Sequence, residues 1–101
     1  MRLSEAAARL RAAGDGFAAT SAALGDVDPG ARAFGADGPG QLGEFGRALH
    51  ARLAAALAAR SREATALGVR LGDAAHAVDV AATGYGEVEQ AAQRRHERGE
   101  P

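Results

Sequence analysis

Large apolar residues open the chain at Leu3, Leu10, Phe17 and Leu24, a strict seven-residue spacing, with Ala6, Ala13 and Thr20 in the intervening positions. A repeat of this kind draws one apolar stripe along an α-helix. Ser4 can accept a hydrogen bond from the free amides of a first turn, and Glu5 suits the positive end of the helix dipole. The helix is therefore predicted over about 4–25, with Gly25 as its stop. Gly14 and Gly16 interrupt its interior, where each glycine weakens a helix by about 1 kcal/mol relative to alanine. Close approach of a second backbone is the reading preferred for them.

The stretch GDVDPGARAFGADGPG that follows is rich in Gly, carries Pro29 and Pro39, and has neither helical nor strand periodicity. It reads as a loop over about 26–40. Phe34 is its only large aromatic residue, and it is expected to anchor the loop against the helices.

After Gly40, apolar residues recur at Leu42, Phe45, Leu49, Leu53, Leu57, Ala64, Leu67, Leu71, Ala74, Val78, Ala81, Tyr85, Val88 and Ala92, in steps of three and four. The pattern predicts one long helix over about 41–92 with a coiled-coil-like seam. Two successive four-residue steps at Leu49, Leu53 and Leu57 act as a stutter, and Arg60 falls on the next seam position. At 1.5 Å per residue the first helix spans about 30 Å and residues 41–83 about 65 Å. Folded back antiparallel, the first helix is expected to shield Leu42 to Leu57 and to leave Leu67 through Tyr85 for a second copy or a dedicated partner. The predicted fold is an all-α antiparallel helical hairpin, residues 1–92, that pairs with other helices into a multi-helix bundle such as a four-helix bundle. Leu10, Phe17, Leu49, Leu53, Leu57, Leu67, Leu71 and Val78 form the predicted pairing interface. Residues 93–101, charged and nearly free of apolar groups, read as a flexible tail.

Composition sharpens this picture. Of 101 residues 47% are hydrophobic, yet 28 are alanine, so large core-forming side chains are few. Alanine favours helix but buries little area, and area is what stabilises a core. Cysteine is absent, which removes disulfide frameworks and thiolate metal sites. Twelve basic residues, all arginine, are interspersed with 13 acids for a net charge of −1, so the clustered positive field of a nucleic-acid binder is missing. The longest apolar run, Leu53 to Ala59, lies between Arg52 and Arg60 and is far below the ~18 residues of a membrane span. The amphipathic start, with Arg9 and Arg11, leaves no room for the apolar segment of a Sec signal peptide.

Chemical motifs are weak. Gly38, Gly40 and Gly43 match the G-x-G-x-x-G spacing of dinucleotide sites, but no strand precedes them. Asp26 and Asp28 begin like a calcium loop, yet Gly30 replaces the third acid and Ala31 the required glycine, so a solvated acidic loop is the better reading. His50, His76 and His96 are too far apart for one helical metal face and read as surface positions. No catalytic residue, cofactor or metal is expected, and the arginines of the tail are read as a solvated end. Tyr85, the only tyrosine, has Glu89 one turn later on the same helical face. A seam tyrosine with its hydroxyl at the rim is the plain alternative.

Taken together, the short chain, the helix-loop-helix plan, Phe34-Gly35 in the loop, Phe45 early in the second helix and AATGYGEVEQAAQR at its end resemble the EspC-like targets of actinobacterial type VII (ESX) secretion systems. These are related in architecture to the small WXG-type secreted hairpins. The resemblance covers about residues 3–95. It implies a non-enzymatic, secreted protein, cytoplasmic before export, with Tyr85 and Glu89 as a Tyr-x-x-x-Asp/Glu export signal read by a secretion ATPase. It implies pairing as a homodimer, or as a heterodimer with another small helical protein or a larger effector. Phe34-Gly35 stands where the family has its Trp-x-Gly turn, which makes Gly35 part of the loop anchor. The alternative is a cytoplasmic adaptor coiled coil that binds a neighbouring partner.

Overall fold

The computed structural model describes residues 2–99. The protein is an all-α helical hairpin: α1 (Arg2–Leu24) and the long α2 (Gly40–Glu97) are joined by a segment holding two short 3-10 turns, Gly25–Val27 and Ala31–Phe34. The helix starts at Arg2, so Ser4 lies within the first turn and is not its cap. Two compact units divide the chain, one of Asp15–Gly68 and one combining residues up to Gly14 with those from Val69 onward.

In the Asp15–Gly68 unit the partners run antiparallel. Ser21 meets Ser61 and Thr65, Asp28 meets His50, and the Ala36 carbonyl accepts from Arg47 at 2.8 Å. The first turns of α2 are therefore covered by the connecting segment, which corrects the expectation that the first helix shields Leu42 to Leu57. The reason is that the connection is wound, not slack. Asp28 Oδ1 accepts from the Gly30 amide at 2.9 Å, and Gly35 donates to the Arg32 carbonyl at 3.0 Å. Gly30 and Gly35 take the left-handed φ values of 90° and 75° that reverse the chain without a Cβ penalty. The segment so formed lies with its carbonyls on α2: a Cβ at Gly43 would overlap the Gly38 carbonyl oxygen, and one at Gly46 the Phe34 carbonyl oxygen.

In the other unit, residues 2–14 of α1 pack on α2 from Val69 onward. Ala7 and Ala75 are 1% and 0% exposed, Ala82 is buried, and Arg11 bridges to Asp79 at 2.6 Å.

On both helices the covered column is turned by one residue from the expected one. On α1, Ala7 and Gly14 are buried and Ser21 is half-buried, whereas Ala6, Ala13 and Thr20 are exposed. On α2, Gly43 and Gly46 are buried and His50, Ser61 and Gly68 half-buried, where Leu42, Phe45, Leu49, Arg60 and Leu67 were expected. Farther along, Ala75 and Ala82 take the places of Ala74 and Ala81. Leu53, Leu57, Ala64, Leu71 and Val78 belong to both columns: Ala64 is buried and the other four are half-buried. Small residues let two backbones approach more closely than leucine would, and here they form the inside. Among the described residues no large side chain is fully buried.

The predicted tail is also shorter than expected, because α2 continues to Glu97. Arg94 and Arg95 place positive charge at the negative end of the helix dipole. Gly99, at φ 71°, closes the last turn through its amide to the His96 carbonyl at 3.0 Å. Among the described residues no helix is long and apolar enough to cross a membrane.

Candidate functional site

Three groups of residues stand out, each within one unit. The first is the clamp that holds the connecting segment. His50 Nε2 lies 2.9 and 3.0 Å from the two carboxylate oxygens of Asp28, both side chains about a quarter exposed, and its ring sits 6.0 Å from that of Phe34. His50 is thus a structural partner and not the surface position expected, and Asp28 is engaged, not freely solvated. The Gly30 amide, and after it the hydrogen bond from His50, hold the Asp28 carboxyl below its ordinary value of 3.8. A carboxylate depressed on folding stabilises the fold above its unfolded pKa and loses that effect as pH falls through the folded value. The gap in urea midpoint between the wild type and Asp28→Asn is therefore expected to be open above the ordinary carboxylate range, at about pH 5, and to narrow as pH falls through the lowered folded value of Asp28. A gap that stays the same across that range denies the clamp its role.

Phe34, the predicted anchor, is half-buried over His50, while Gly35 ends the second 3-10 turn in a left-handed conformation. Nearby, the hydroxyls of Ser21, Ser61 and Thr65 bond to one another at 2.7 and 2.8 Å, and Ser21 also donates to the Ser61 carbonyl at 3.0 Å. These bonds pair the hydroxyls of the two helices with each other.

The second group is apolar and uncovered. In the Asp15–Gly68 unit it comprises Leu42 (80% exposed), Phe45 (64%) and Leu49 near the start of α2, with Phe17, Val27 and Leu67 exposed elsewhere. In the other unit Val69, Val80, Tyr85 and Val88 are exposed. Of the predicted pairing residues, then, Phe17, Leu49 and Leu67 face solvent, while Leu10, Leu53, Leu57, Leu71 and Val78 are half-buried. Large side chains outside an alanine-glycine core mark surfaces for association with a partner.

The third group is Tyr85 with Glu89. Both are exposed and one helical turn apart, and among the described residues neither has a hydrogen-bond partner. Gly84 and Gly86 do not break the helix around them. Among the described residues no group of three or more His, Asp or Glu side chains is gathered as for a metal ion.

Sequence reasoning missed the clamp and the small-residue face. A signal for the latter was present: Ala7, Gly14 and Ser21 repeat every seven residues, as do Ser61, Gly68, Ala75 and Ala82. Alanine is so frequent elsewhere in both helices that this repeat does not stand out.

No family model matches the sequence, and no curated protein or solved structure is significantly similar to it. The two-helix hairpin is the part of the resemblance to type VII secretion targets that the structure carries.

Proposed function

We propose that the protein is a substrate of an actinobacterial type VII (ESX) secretion system, or a targeting partner for a larger effector, and that it acts without bond chemistry. It associates through exposed apolar side chains of its helices. Tyr85 and Glu89 form the signal that the secretion ATPase reads. The observation that carries this reading is the exposed Tyr85, without a hydrogen-bond partner among the described residues, one turn before Glu89. A tyrosine placed there leaves both its ring and its hydroxyl for a partner, and tyrosine is favoured at such contacts because it combines the two. The architecture agrees with a helical hairpin recognised in its folded state.

The test compares culture filtrate with cell pellet for the native chain and for Tyr85→Ala, in the source bacterium with and without its secretion ATPase. The protein is expected outside the cell only when both Tyr85 and the ATPase are intact, with Tyr85→Ala as stable as the wild type. Retention of a stable wild-type chain in the pellet rejects export and leaves the cytoplasmic adaptor in its place.

A further inference from the structure

Several glycines inside the helices answer to a contact. Gly43 and Gly46 face carbonyls of the connecting segment, and Gly14 is buried. Gly16 and Gly72 are different: both are exposed, and a Cβ at either would meet nothing within 4 Å. Close approach of a second backbone, the reading expected for Gly16, therefore does not explain it. Gly84 and Gly86, also open, flank Tyr85. A glycine weakens a helix relative to alanine, so what an open one adds is backbone freedom.

The place of that freedom is specific. The boundary between the two compact units falls at Gly14 on α1 and at Gly68 on α2. Gly14 and Gly16 are the only glycines of α1, and between Gly46 and Gly84 the only ones of α2 are Gly68 and Gly72. Side-chain bonds between the helices stop short of this boundary. Among the described residues they end with Arg11 to Asp79 in one unit and with Ser21 to Ser61 and Thr65 in the other. Thr20 adds a separate signal, because its Oγ1 donates to the Gly16 carbonyl at 3.0 Å. A hydroxyl that bonds back to the carbonyl four residues earlier competes with the helix ladder and bends helices.

We infer that the hairpin carries a hinge formed by Gly14 and Gly16 on α1 and by Gly68 and Gly72 on α2. Each helix bends there by changes of backbone angle that glycine tolerates best. Such bending lets the unit that holds Tyr85 turn on a partner while the Asp28 and His50 clamp and the contacts of Gly43 and Gly46 stay closed in the other. The hinge does not depend on export.

The chain has no cysteine, so nitroxide labels can be placed on introduced pairs in the full chain. Dilution with unlabelled chain restricts the reading to distances within one molecule. Ala55→Cys with Val80→Cys, and Ala56→Cys with Ala81→Cys, straddle Gly68 and Gly72 on two faces of α2. Gln41→Cys with Ala66→Cys is the control within one unit, with the same 25-residue separation of about 38 Å along the helix. All six positions are exposed. Pulsed electron resonance is expected to give distance spreads about 1.5-fold wider or more for the straddling pairs than for the control. In Gly16→Ala/Gly72→Ala the excess should disappear. Equal spreads without these substitutions overturn the inference. So does a wide spread that survives both, or a melting temperature that they lower, since the glycines would then be held by packing.

Discussion

Gly46→Ala lowers the stability of the hairpin, although alanine is the better helix former. The new Cβ would overlap the Phe34 carbonyl oxygen and lie 3.1 Å from the Ala36 amide nitrogen. These are backbone atoms held by the 3-10 turns and by Arg47, which donates to the Ala36 carbonyl, so no flexible side chain can swing away. Overpacking of a tight contact costs about 1–3 kcal/mol, while the helix-propensity gain of alanine over glycine is at most about 1 kcal/mol. The contact term wins, and a net loss of about 1–2 kcal/mol corresponds to a melting temperature lower by about 4–16 °C. Gly72→Ala is the matched control, since its Cβ would meet nothing within 4 Å. It is expected to raise stability by about 0.5–1 kcal/mol. Melting curves of the two variants should therefore move in opposite directions, and movement in the same direction would remove the close approach of the connecting segment from the account.

The second large effect comes from Ala75→Leu. Ala75 is fully buried in the contact between α2 and the first residues of α1, with Ala7 equally covered on the opposing helix. A leucine there must push the helices apart or adopt a strained rotamer, with an expected loss of about 2–3 kcal/mol. Leu67→Ala removes the same atoms that Ala75→Leu adds, from a residue 42% exposed. In the isolated chain it should change stability by no more than about 0.5 kcal/mol. The usual ranking, in which losing a leucine hurts and losing an alanine does not, is thus inverted. Denaturant midpoints of both variants at low protein concentration check it: a Leu67→Ala loss as large as that of Ala75→Leu would mean that the leucine column, not the alanine column, is the internal seam.

The two variants also show where sequence reasoning was sufficient. Periodicities of three and four with abundant alanine place two helices, and Gly25, Pro29 and Pro39 separate them, because these preferences act within a few residues of chain. Leu53, Leu57, Leu71 and Val78 lie on the apolar sector whichever neighbour column is chosen. The spacing of Tyr85 and Glu89 is likewise local, so their sharing one helical face was legible, as was the absence of cysteine.

Tertiary structure alone decided which edge of that sector each helix turns inward. Hydrophobic burial by itself favours the large residues, and periodicity follows them. The inward edge is set instead by how closely two backbones can come, a property of paired positions distant in sequence: Ser21 with Ser61, or Gly46 with the Phe34 carbonyl. The Asp28 and His50 clamp belongs to the same class, since 22 residues separate its members and only the folded connection brings them within 3 Å. The sequence by itself therefore determined the helices, their approximate ends and the residues available for contact. The fold determined that small residues take the tightest contacts of the hairpin while the large ones are at most half-buried beside them, because close backbone packing excludes any side chain larger than alanine from those contacts.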